Sequence, residues 1–114
     1  MARIPKRLYG PAQVATGPAT VYTVPAVTKT VIRQIHVSNP SASPVTLTLS
    51  IGADAAATRL FSTYSIPAAA AGVTDSVREI FWYQVMDVGE ILTLSAGTNN
   101  VLVIVINGDE IVLG

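Results

Sequence analysis

The chain has 114 residues, half of them apolar and only 12% charged, which suits one domain with one core and excludes a disordered or solvating segment. Seven basic and seven acidic side chains cancel, so the chain has no basic surplus of the kind a general nucleic-acid binder carries. Cysteine is absent, which excludes disulfides, zinc fingers and thiol chemistry.

Residues 1–19 carry Pro5, Pro11 and Pro18 together with Gly10 and Gly17, which prevent a regular element of any length and predict an extended N-terminal arm. Ile4, Leu8 and Tyr9 are interspersed with Arg3, Lys6 and Arg7. A solvated tail has little use for such apolar groups, so the arm is expected to dock, either on another chain or back on its own domain as an edge strand.

From residue 20 the pattern has period two. A strand is predicted over 20–24, stopped by Pro25, and another over 29–37 with Val31, Ile35 and Val37 on one side and His36 on the other. The run from Asn39 to Pro44 is a loop by composition. In the next strand Val45, Leu47, Leu49 and Ile51 alternate with Thr46, Thr48 and Ser50, as in a sheet buried on one side. Small residues over 52–57 lead to a strand over 60–66 that Pro67 ends. The alanine run 68–72 is too short for a free helix and is expected as a loop.

A strand over 77–86 holds Phe81, Trp82 and Tyr83, with Trp82 on one side and the other two opposite. A turn over 87–90, a strand over 91–96 and a second turn over 97–100 follow. Residues 101–106 are apolar on both faces, as in a central strand. Asn107-Gly108 predicts a two-residue hairpin turn, with 110–113 as the return strand. The fold class that follows is all-β: an antiparallel β-sandwich or barrel of about eight short strands, jelly-roll-like. Residues 20–114 form a single domain behind the arm of residues 1–19.

Catalytic groups are scarce. His36 is the sole histidine, and no GxSxG elbow, HExxH, EF-hand or phosphate-binding glycine motif occurs. Most acids fall in turns, where aspartate has a local hydrogen-bonding role. A loop calcium site drawing on Asp54, Asp75 or Asp109 is the weak exception. A protein without catalytic, metal-binding or cofactor-binding residues is therefore expected. The aromatic triplet lies among acids such as Glu79 and Asp87, which disfavours single-stranded nucleic acid as its partner. Trp82 and Tyr83 instead suit a protein interface or a carbohydrate platform. The basic start has no apolar run of a signal peptide, and the longest aliphatic run, 101–106, is far short of a membrane span. Neither a membrane nor nucleic acid is expected as a partner.

The neutral total conceals a polarity. Residues 1–53 carry five cations and no acid, whereas residues 54–114 carry seven acids against Arg59 and Arg78. Arg3, Lys6 and Arg7 meeting Asp87, Glu90, Asp109 or Glu110 of a neighbouring chain would give a head-to-tail, salt-sensitive contact. The residues expected at an interface are therefore Arg3, Ile4, Lys6, Arg7, Leu8 and Tyr9 of the arm, with Trp82 and Tyr83.

Several runs carry a family resemblance: LYGPAQ at 8–13, VYTVP at 21–25, TVIRQIHVSN at 30–39, LTLSIGAD at 47–54, TRLF at 58–61 and VGEILTL at 88–94. Together they resemble the small all-β structural proteins of tailed-bacteriophage virions. The resemblance implies a virion component made in the host cytoplasm. Such a component self-associates as a trimer or ring and docks on a major capsid or tail protein. A head decoration or cement role fits the basic arm, with a tail, neck or fibre-attachment role as the alternative. A carbohydrate-binding sandwich using Trp82 and Tyr83 is the competing class.

Overall fold

The computed structural model describes residues 2–68 and 77–113, with side chains for all of these except Ala2 and Trp82. Among them are eight strands and no helix: β1 (Ala2–Gln13), β2 (Ala19–Thr23), β3 (Thr28–Ser38), β4 (Val45–Ile51), β5 (Arg59–Ile66), β6 (Val77–Met86), β7 (Ile91–Ala96) and β8 (Val103–Val112). The expected alanine loop lies, beyond residue 68, outside the described residues.

The strands form two four-stranded sheets, ordered β1-β8-β3-β6 and β2-β7-β4-β5, and every pairing is antiparallel. The pairs β4·β5, β3·β6, β2·β7 and β1·β8 describe one long hairpin, bent back at the β4–β5 connection and rolled into two layers. This is the jelly-roll path. Side chains such as Ile35, Leu47, Leu49, Leu92, Ile104 and Ile106 fill the space between the layers.

Local sequence explains most elements. In β4 the side chains of Val45, Leu47 and Leu49 are buried and those of Thr46 and Thr48 are only half-buried, so the alternation sets the inner face. The 39–44 loop is organised by Asn39, whose buried Nδ2 donates to the carbonyls of Ser43 (2.8 Å) and Ile66 (3.1 Å). Its Oδ1 accepts from the Ser41 amide and hydroxyl. Every polar atom of that side chain is thereby satisfied.

Three expectations need correction. The first concerns the prolines of the arm, which were expected to prevent a regular element: residues 2–13 take the edge-strand course, forming β1 and pairing with β8 from Ala2↔Val112 to Gln13↔Val103. Pro5 and Pro11 are tolerated because β1 is an edge strand. Gly10 has a φ of 88°, and a Cβ there would overlap the Ile104 carbonyl oxygen.

The second concerns the hairpin. β8 runs straight through Asn107 and Gly108, which pair with β1 and β3. Gly108 is needed for close approach, since a Cβ would overlap the Val31 carbonyl oxygen and come within 2.9 Å of Leu8 Cδ1. The third concerns phase: both ladders of β3 shift register between Ile32 and Gln34. Thr30 and Ile32 therefore turn inward before the bulge, and Ile35 and Val37 after it. Val31, expected beside Ile35 and Val37, is buried but outside their cluster.

Candidate functional site

Consecutive acids of β8 divide the two faces of its sheet. Glu110 reaches inward, accepting a hydrogen bond from Tyr22 of β2 in the opposite layer. Asp109 therefore points to the outer face. There its Oδ2 accepts from Arg3 of β1 (Nη2 at 2.8 Å) and from Arg33 of β3 (Nη1 at 3.1 Å). The Arg33 guanidinium in turn lies 5.7 Å from the centroid of the Tyr83 ring on β6. Arg3, Asp109, Arg33 and Tyr83 thus make one row across all four strands of the sheet.

Two guanidiniums share one carboxylate in this row, which leaves it cationic. The hydrogen bond to Asp109, reinforced by its charge, raises the Arg3 pKa above the ordinary arginine value. At the β6 end, Phe81 is 74% exposed and Tyr83 63%, with Val77 and Val85 also exposed at alternate positions of the same strand. Beside them Asn107 donates to Gln34, which donates to Glu79 at 2.7 Å. The outer face of this sheet therefore presents aromatic rings, aliphatic groups and arginines together, the composition of a protein interface.

The inner end of the same strands holds a second polar cluster. Tyr22 Oη lies 2.7 Å from Thr30 Oγ1 and donates to Glu110, whose carboxylate also takes Lys6 Nζ at 3.2 Å. Burial, with the hydrogen bond to Glu110 added, pushes the Tyr22 phenol up to about 12. The cluster joins the two layers and is too enclosed to act as a surface.

The predicted interface residues scatter. Arg3 and Tyr83 meet through Arg33 and Asp109. Lys6 is committed to Glu110, whereas Ile4 and Arg7 are exposed. Leu8 is only 7% exposed and belongs to the core, and Tyr9 packs against that core. Leu8 was expected at an interface, and the pairing of β1 with β8 turns it inward instead. The side chain of Trp82 lies outside the described residues.

Of the three cations expected to seek a neighbour's acids, Arg3 and Lys6 meet acids of their own chain, Asp109 and Glu110, and Lys29 likewise meets Asp87. The opposed halves of the sequence are adjacent strands, so the polarity largely cancels within the fold. Sequence reasoning did not single out Arg33, which lies 76 positions from Asp109, and it weighed Asp109 only as a calcium ligand or as an acid for a neighbouring chain's arm. Parity already placed Phe81 with Tyr83 on one side of the strand, but Trp82, not Phe81, was named with Tyr83 as the interface pair.

Among the described residues the candidates for chemistry are dispersed. His36 is half-buried on the outer side of β3, opposite Glu79 and Val105. Among the described residues no three His, Cys, Asp or Glu side chains converge, and no pocket is present. The carboxylates weighed for calcium are used otherwise: Asp54 is held by Arg59 at 2.8 Å and Asp109 by two arginines, while Asp75 lies outside the described residues.

No protein-family model matches the chain, and no curated protein sequence matches it. Solved structures do align with it. A chain of the cyanophage Pam1 capsid asymmetric unit aligns over 98% of this chain and 82% of its own length, at 18% identity and a TM-score of 0.47. A chain from infectious bursal disease virus, Gx strain, aligns over 96% of this chain and 32% of its own length, at 12% identity and a TM-score of 0.46. The Gt strain gives 13% identity and a TM-score of 0.31, covering 96% of this chain and 28% of its own. None of these alignments reaches a TM-score of 0.5, and none of them carries the assignment below.

Proposed function

We propose that this protein is a non-enzymatic structural component of a tailed-phage virion, a head decoration or cement protein that self-associates and docks on the capsid. The observation that carries the proposal is the outer row of β6. There Phe81 and Tyr83 stand exposed between Val77 and Val85, with Arg33 laid against Tyr83. Tyrosine, phenylalanine and arginine are enriched in protein interfaces, and exposed aromatic and aliphatic side chains grouped on a small protein mark an association surface. The jelly-roll path supports the virion setting, since viral shells use it widely, though lectins do too. The sequence resemblance to small phage structural proteins supplies the tailed-phage part. A tail, neck or fibre-attachment position would use the same surface.

The exposed rings also favour a second reading, a carbohydrate-binding sandwich with Phe81 and Tyr83 as platform. Light scattering behind size exclusion, and co-sedimentation with phage shells lacking this protein, separate the two. Oligomers that decorate shells, both abolished in Phe81→Ser/Tyr83→Ser, would support the structural role. A strict monomer that ignores shells but binds a glycan panel saturably, with binding lost in the same variant, would overturn it.

A further inference from the structure

β1 consists of two parts held by different physics. Arg3 to Arg7 are all exposed, and what holds them is the backbone ladder to β8 with two ion pairs, Arg3–Asp109 and Lys6–Glu110. The basic partners of both pairs are about half exposed, so the contacts are weak and screened by salt. From residue 8 onward the strand is locked. Leu8 and Val14 enter the core, and Gly10 sits against the Ile104 carbonyl with no room for a side chain. The register breaks between Arg7 and Tyr9, at the boundary of the two parts.

From this division we propose that residues 2–7 are an exchangeable strand: in the assembled protein they leave their own β8 and pair with the β8 of a second copy. The proposal rests on the self-association argued above and adds its mechanism. An edge segment whose Ile4 and Pro5 are exposed opens at low free energy. Opening exposes the β8 edge over residues 107–112, with Asp109 on one face and Glu110 on the other. Its complement is a strand carrying Arg3 and Lys6 on opposite faces, and each copy supplies that strand as well as the edge that receives it. Reciprocal or circular exchange therefore satisfies every copy. Within an isolated chain the tether favours the closed form through its high effective concentration. Exchange therefore becomes competitive only when other contacts hold two copies together.

The chain has no cysteine, which permits a direct test. Arg7 lies opposite Asn107 in the ladder, so Arg7→Cys is placed in one chain and Asn107→Cys in another carrying a tag of different size. The two are purified, mixed at low and raised salt, oxidised and resolved without reductant. Exchange predicts a covalent heterodimer about tenfold or more above either homodimer, forming faster at raised salt. Heterodimer no more abundant than the homodimers overturns the proposal. The pair Ala2→Cys and Val112→Cys, also opposite in the ladder, repeats the test if the first pair fails to fold. Light scattering on the unmodified chain separates the two proposals. Oligomers without the heterodimer sink the exchange alone, whereas a monomer at every concentration sinks self-association with it.

Discussion

Tyr22 donates its phenolic hydrogen to Glu110 across the space between the two sheets, and its oxygen also lies 2.7 Å from the Thr30 hydroxyl. The bond ties β2 to β8 at a point where neither strand touches the other through its backbone. It also changes how tightly Tyr22 holds its proton.

Burial, and then the neighbouring Glu110 carboxylate, move Tyr22 up to about 12. Below the usual tyrosine range, near 10, folded and unfolded chains both hold this proton. Between about 10 and about 12 the unfolded chain releases it and the folded chain does not, so stability falls as pH rises through that window. A tyrosinate absorbance titration should show a late step that is absent in Tyr22→Phe. At neutral pH that variant should lose about 1–2 kcal/mol in urea unfolding, because Thr30 and Glu110 lose a partner.

Gly108→Ala should cost about 3 kcal/mol or more, since the new methyl meets the Val31 carbonyl from a backbone fixed on both sides by ladders. Gly17 has nothing within 4 Å of its would-be Cβ. Gly17→Ala should be neutral or stabilising by about 0.5 kcal/mol. Urea midpoints of the two variants, compared under one condition, check both.

Asn39→Asp keeps the shape and removes the donor that the Ser43 carbonyl and the buried Ile66 carbonyl use. A carboxylate facing those oxygens should destabilise by about 2–3 kcal/mol at neutral pH, read as a lowered thermal midpoint with an unchanged circular dichroism spectrum at low temperature.

Asp109→Asn leaves Arg3 and Arg33 facing each other without the carboxylate between them. The salt response at this locus should then reverse. Sodium chloride weakens the paired cluster of the parent but relieves repulsion in the variant. Urea midpoints at low and high salt measure the crossing, and a parallel response in both proteins would show that the cluster contributes no net attraction.

The elements with an uninterrupted alternation were legible in the sequence. β4 repeats apolar and hydroxyl residues without a break, and β6 and β7 lie where their sequence placed them. β1 was harder to read because its prolines and charges describe a free tail equally well, and only the distant β8 decides between the two. Asn107-Gly108 misled for a related reason: the glycine answers a carbonyl on β3, 77 positions away (108 − 31), and local sequence encodes no such contact. The bulge at Arg33 is also invisible to a period-two count, which carried Val31 into the core in place of Ile32. The outer row formed by Arg3, Asp109, Arg33 and Tyr83 needs all four strands in order before it exists.

The rolled hairpin also has a consequence for how the chain reaches its fold. The β4–β5 pair closes a short loop, while each later pair, β3·β6, β2·β7 and then β1·β8, spans a longer stretch of chain. Loop-closure entropy grows with that span, and pairing distant in sequence is slow. The fold should therefore zip outward from the 52–58 turn, with the first and last strands meeting at the end. On the ribosome β1 is made long before β8, so β1 has to wait, unpaired, until the strand that holds it in place has emerged.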